Sequence, residues 1–248
     1  ENENTKKFLA KFNNQTSYLI DRKTLREGKS FNINPFSDGK ENQLGLNLNF
    51  RNVLFFNRGK QRYTTSYTYT ATSAENLLSV GLQRNKLRSH QLQFTHKFAN
   101  SWLGNLRGQL SENETNSENF AARNFFIEGY DLSPKISYLF SENAQFGVGY
   151  QHAEKKNLMG DREELRQETL SANITFNKSQ QWSINGEFNY IINNFDGNSF
   201  SPVAFQMLEG LQPDKNFTWS LLLQRSITKY LDANLSYFGR KSENSNTI

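Results

Sequence analysis

His90, His96 and His152 are the only imidazoles in the chain, and there is no cysteine. The missing cysteines remove disulfide scaffolds, thiolate metal sites and cysteine nucleophiles. His90 and His96 fall on one face of an alternating segment but stand six residues apart, too far along an extended strand to share a metal. Ser89 adjoins His90, yet neighbours on a strand point to opposite faces, so they cannot form the nucleophile–base contact of a hydrolase. Glu163-Glu164, after Asp161-Arg162, reads as a solvated loop tip. No glycine-rich phosphate loop, His-Glu-x-x-His or calcium-loop spacing occurs. The expectation is a non-enzymatic protein with no catalytic residue, no cofactor and no metal site.

The elements that must carry these residues are strands. In Trp182–Tyr190, Trp182, Ile184, Phe188 and Tyr190 alternate with Ser183, Asn185, Glu187 and Asn189, so one face is apolar and the other polar. The same period of two runs through Leu44–Arg51, His90–Phe98, Thr169–Phe176 and Leu231–Tyr237, and a helical period fits none of them. About twelve strands are predicted, over residues 7–12, 17–25, 44–56, 62–72, 88–98, 103–113, 129–140, 145–156, 164–176, 182–193, 216–227 and 231–242. One short helix is predicted after Ser201, with Pro202 at its first position and Phe205, Leu208 and Leu211 on one side, as a plug or anchor within a long loop.

Connections are of two alternating kinds. Short turns rich in Asn, Gly, Ser and Lys are predicted at 13–14, 57–60, 99–101, 141–143, 177–179 and 228–230. Long polar loops are predicted at 26–42, 73–87, 114–128, 157–163 and 194–215.

Aromatic residues make up 14% of a chain that is only 35% hydrophobic, which sets it apart from disordered sequences. No run of residues is long and apolar enough for a transmembrane helix. A meander of amphipathic strands has two solutions: a soluble sandwich with the apolar face inside, or a transmembrane barrel with that face toward lipid and a polar lumen. Strand length, the asymmetry of short turns and long loops, and aromatics beside every short turn favour the barrel. The girdle is assigned to Phe56, Tyr63, Phe98, Trp102, Phe140, Phe146, Phe176, Trp182 and Tyr230. Gly104, Gly108, Gly147, Gly149 and Gly186 sit within strands, where a barrel tolerates them better than a sandwich.

By alternation the lumen is lined by Arg51, Arg62, Lys97, Arg107, Lys135, Glu187, Asp232 and Arg240. Both signs are present, which suits a wall-stabilising network, with ion passage as the alternative. The formal charge of +5 is interspersed rather than gathered into a basic stripe, which argues against a nucleic-acid partner. Glu1-Asn2-Glu3-Asn4 has no leader pattern, and the strand parity places both ends at the loop side. Residues 1–248 are therefore expected to form one outer-membrane barrel domain, a fragment lacking terminal strands and an N-terminal region, from a parent of about fourteen strands.

Leu211-Gln212-Pro213-Asp214-Lys215-Asn216-Phe217-Thr218-Trp219, Leu223-Gln224-Arg225 and Tyr237-Phe238-Gly239-Arg240-Lys241-Ser242-Glu243 resemble the C-terminal barrel region of large outer-membrane proteins of Bacteroidota. The Asn-, Phe- and Lys-rich style of the chain is similar too. The resemblance implies residence in a Gram-negative outer membrane, within lipid and lipopolysaccharide, alongside other outer-membrane or periplasmic proteins of a cell-envelope complex. It supplies no catalytic residues. The expected role is an anchor or scaffold for secretion, protein insertion or surface assembly. A porin-like channel is the alternative, and a soluble surface-binding β-domain the third.

Overall fold

In a computed structural model the chain forms a single antiparallel sheet. The structure describes residues 8, 10–24, 43–59, 62–79, 81–178, 182–228 and 231–243. Eleven strands follow in chain order: β1 (Phe12–Thr24), β2 (Gln43–Phe56), β3 (Tyr63–Leu78), β4 (Gly81–Lys97), β5 (Trp102–Ser117), β6 (Phe125–Ser141), β7 (Ala144–Asn157), β8 (Glu164–Lys178), β9 (Trp182–Asp196), β10 (Asp214–Thr228) and β11 (Leu231–Ser242). Each pairs only with its chain neighbours, so the spatial order is β1 through β11. The all-β, up-and-down architecture is as expected from the alternation.

The strand count differs at the beginning. Segments 7–12 and 17–25 are not two strands around a turn at Asn13-Asn14, because β1 runs straight through, paired from Phe12↔Phe56 to Thr24↔Gln43. Of the asparagines that resembled a turn, Asn14 joins a side-chain cluster across the pair, where Asn52 Nδ2 donates to Asn14 Oδ1 at 3.1 Å and to Thr16 Oγ1 at 2.7 Å, and Asn13 Oδ1 accepts from Arg58 Nη1 at 3.2 Å. With two strands merged, the chain enters β1 at the turn end and leaves β11 at the loop end, rather than having both ends at the loop side.

The loop at 73–87 is replaced by strand. β3 and β4 continue until Leu78 pairs with Gly81, and the residues that read as polar loop are cross-strand ion pairs, such as Arg84–Glu75 at 2.6 Å. Gly81 takes φ +108, a conformation glycine adopts without steric cost. Likewise 114–128 shrinks to the span between Ser117 and Phe125, with a 3₁₀ turn at Ala121–Arg123. The expected loop at 26–42 lies outside the described residues.

The long loop between β9 and β10 carries a short α-helix, α1 (Pro202–Met207). Ser201 caps it, its Oγ accepting from Ala204 N at 2.9 Å, with Pro202 in the first turn. The start signal was read correctly; of the predicted side Leu208 is buried, but Phe205 is not. Val203, Ala204, Met207 and Leu208 are buried, whereas Phe205 is 70% exposed.

Candidate functional site

Pairing registers sort every strand residue to one of two faces. On the apolar face, β5 reads Trp102, Gly104, Leu106, Gly108, Leu110 and then Glu112, and the partners in register are Phe94 for Leu106, His90 for Leu110 and Arg88 for Glu112. The large side chains of this face are open: Leu92, Leu110, Ile136, Leu170 and Leu235 are all more than half exposed. A soluble sandwich would cover such a face with a second sheet, and all eleven strands belong to one sheet.

The apolar face is banded along the strands. At the turn end are aromatics, with Phe12 and Phe56 rings 5.0 Å apart, Trp102 and Tyr138 4.9 Å, and Tyr138 and Phe140 4.8 Å. Aliphatic side chains follow, then a second ring belt that sequence reasoning missed. In that belt Tyr67 Oη meets His90 Nδ1 at 2.7 Å and Tyr130 Oη meets His152 Nε2 at 3.3 Å. Charges come last, including Lys86–Glu114 at 3.3 Å, Arg166–Glu154 at 2.9 Å and Lys156–Glu164 at 3.0 Å. From Trp102 to Glu112 is ten residues of β5. At about 3.3 Å per residue and a tilt near 40°, that rises about 25 Å, the height of the apolar band of an outer-membrane barrel.

The girdle residues Phe56, Tyr63, Trp102, Phe140, Phe146, Phe176 and Trp182 occupy the turn ends of their strands, and Phe98 follows β4 directly; Tyr230 lies outside the described residues. His96 belongs to this level, stacked between Phe94 and Phe98. Ser89 faces the other way from His90, opposite Thr70 and Ser111. Among the described residues no three His, Asp or Glu gather as a metal site.

Of the eight polar-face candidates, Arg51, Lys97, Arg107, Lys135, Glu187, Asp232 and Arg240 share one face by register. Arg62 precedes β3, in the turn, where its carbonyl accepts from Lys97 N at 2.8 Å. The face does not gather these charges into one cluster. Arg107 pairs with Asp131 at 3.6 Å, and Gln151 donates to the same carboxylate. Lys135 stretches across β7, where Gly147 and Gly149 leave room: a Cβ on Gly147 would come within 2.9 Å of Lys135 Cε.

The loop between β9 and β10 folds onto the loop end of this polar face. Val203, Ala204, Met207 and Leu208 pack against Phe125 and Ile127 of β6 and Leu165 of β8, with Phe195 alongside. Each buried side chain of this size contributes about 1.5–3 kcal/mol. Glu163 is buried rather than a solvated tip, with Asn157 Nδ2 donating to it at 2.7 Å and Ser201 Oγ at 3.4 Å. Asn193 and Asn216, both fully buried, clamp the returning limb: each donates its amide to Gln212 O, at 3.0 and 2.8 Å. Arg240 Nη1 donates to Gly210 O at 3.2 Å. Below the loop lies a cavity of about 330 Å³ lined by Arg107, Asp131, Gln151, Lys155, Glu187 and Glu209, among others. Neither Lys155 nor the two clamping asparagines stood out in the sequence. The available signal was their polarity at polar-face positions next to a long loop.

No family model matches the chain, and no curated protein matches it in sequence. Among solved structures it is similar to the translocator domain of the autotransporter NalP from Neisseria meningitidis, at 8% identity and a TM-score of 0.41, over 80% of this chain and 75% of that one. It is also similar to the ferric yersiniabactin uptake receptor FyuA from Yersinia pestis, at 10% identity and a TM-score of 0.46, over 93% of this chain. The chain spans 38% of the length of that receptor.

Proposed function

We propose that this chain is an integral outer-membrane β-barrel that serves as a non-enzymatic anchor or scaffold subunit of an envelope assembly. The observation that carries the membrane reading is the banded apolar face, in which aromatic, aliphatic, Tyr/His and charged levels succeed one another over the height of a bilayer core. Such a face, left open in water, would drive aggregation. The scaffold reading rests on the loop between β9 and β10, which sits on the polar face through an apolar seat and a buried amide clamp. It rests also on the pairing of Arg107 with Asp131 on that face, where charges of both signs occur. The resemblance of residues 211–243 to large Bacteroidota proteins favours an envelope of that type. A second reading, a solute channel, is favoured by the polar cavity beneath the loop.

Two measurements separate these. Full-length protein, extracted in mild detergent from its own membrane, is expected to migrate as a large assembly with reproducible partners and to give no steady conductance in a planar bilayer. A lone barrel that conducts would replace the scaffold by the channel. Recovery of the protein in the soluble fraction would end both.

A further inference from the structure

The polar wall beneath the loop between β9 and β10 holds hydrogen-bonding capacity that its own residues do not use. Arg107 Nη2 donates to Ser133 Oγ at 3.3 Å, and Ser133 donates on to Asp131 Oδ2 at 3.0 Å. Arg107 Nε and Asp131 Oδ1, however, are buried without a partner among the described residues, whereas buried polar atoms are almost always satisfied. Gln109 stands directly opposite Asp131, and Thr169 opposite Gln151. Both line the cavity of about 330 Å³ under the loop, and neither side chain has a hydrogen bond to a described residue.

The charges of this cavity are already matched. Arg107 faces Asp131 at 3.6 Å, Lys155 holds Glu209 of the loop at 2.6 Å, and Glu187 Oε1 accepts from Asn189 Nδ2 at 2.9 Å. A guest of strong net charge would have to displace one of these pairs. What is left over is neutral in balance: amide, hydroxyl, a guanidinium N–H and a carboxylate oxygen, donors beside acceptors. Neighbouring hydroxyls on a sugar ring, each a donor and an acceptor, complement such a wall. Ala153, Ile191 and Leu211 line the same cavity and offer apolar surface to the C–H face of a ring. The volume lies at the small end of the range for ligand sites, about 300–1,000 Å³. Toward the turn end a second cavity of about 290 Å³ shares Glu187 and is lined again by hydroxyls and amides, among them Ser171, Asn173, Thr175, Asn185 and Ser220.

We infer that this wall is a binding site for a neutral oligosaccharide, roofed by the loop and running from the upper cavity past Glu187 toward the lower one. Arg107 donates to one ring hydroxyl while Asp131 accepts from its neighbour, and Gln109 and Thr169 bond the flanking hydroxyls. The Arg107 side chain is 41% exposed, so it can turn to present Nε to the guest. Glu209 and Leu211 of the loop contribute to the upper cavity, which gives the firm seating of that loop a second purpose. The inference takes from the reading above only that the polar face borders a wet lumen, and it holds for a scaffold and for a channel alike.

The test is saturation-transfer NMR on the full-length protein in lauryldimethylamine oxide, a detergent without a sugar headgroup. The probes are maltose, cellobiose, lactose and diacetylchitobiose with their trisaccharide homologues, beside digalacturonate, the glucosamine disaccharide and N-acetyl-trialanine amide. At least one neutral sugar series should receive saturation, its trisaccharide binding more tightly than its disaccharide. Asp131→Asn, which keeps the shape of the side chain, should weaken that binding about tenfold or more. Gln109→Leu, which breaks no bond of the folded wall, should weaken it too, and Glu112→Gln on the apolar face should leave it unchanged. Transfer to no sugar would overturn the inference, as would sugar binding that both wall variants retain. A clear preference for the charged disaccharides or for the capped peptide would overturn the ligand class. The membrane reading fails separately, if the protein does not sediment with membranes.

Discussion

Lys155 on β7 reaches up to the inserted loop and holds Glu209 at 2.6 Å, while the same ammonium donates to the Met207 carbonyl at 3.0 Å. The pair joins wall to loop, but it is not what seats the loop. Glu209 is two-thirds exposed, and an ion pair so open to water is worth less than about 1 kcal/mol. Met207 has no exposed surface and packs in the cluster of Phe125, Ile127 and Leu165.

Lys155→Met should therefore leave the loop in place, whereas Met207→Ala should weaken its seat by about 2–5 kcal/mol. Limited chymotrypsin digestion reads the difference, because Phe200 and Phe205 lie in this loop. Cleavage there should rise at least tenfold for Met207→Ala and stay near the parent rate for Lys155→Met.

Asn216→Leu should cost about 1–3 kcal/mol, since it strips partners from the carbonyls of Gln212 and Asp214 and from the Ser242 hydroxyl. The measurement is the temperature at which the folded, fast-migrating form is lost in detergent. An unchanged transition would show that water replaces the amide.

The two faces should respond oppositely to charge. Leu92→Arg, near the middle of the apolar band, should cost about 2–4 kcal/mol of folding stability in lipid vesicles. Gln93→Arg, one residue on and facing the other way, should cost far less. Equal costs would contradict the assignment of faces. Spin labels at Ile184 and Leu235 give a second check: they should be relaxed by lipid-soluble quenchers and shielded from water-soluble ones.

Trp219 of β10 lies flat against Gly239 of β11, and a Cβ at 239 would run into the indole ring. Gly239→Ala should displace that ring at about 1–3 kcal/mol and shift the tryptophan emission of the folded protein. An unshifted spectrum with full stability would place the indole elsewhere.

The fold was legible because period-two alternation survives in almost every strand, and Ser201-Pro202 announces the helix start. The errors share one cause. Polar residues near strand ends read as loop, although in 73–87 and 114–128 they satisfy one another across strands, as Arg84 does with Glu75. Asn13-Asn14 carried turn chemistry, but a partner strand with Asn52 opposite Thr16 outweighed local preference. Glu163 and Asn193 were illegible for a different reason. Their burial depends on where a distant loop comes to rest, and no local pattern encodes that.

The β3–β4 hairpin, paired as far as Leu78 and Gly81 and carrying the Arg84–Glu75 ion pair near its tip, has a mechanical consequence. A pull applied at Ser79 along the strands loads the backbone bonds of β3 with β2 and of β4 with β5 together, in shear, so that many must fail at once. A loop of the same length would simply straighten under that tension. A tether fastened to this tip would thus transmit force straight into the wall of the sheet.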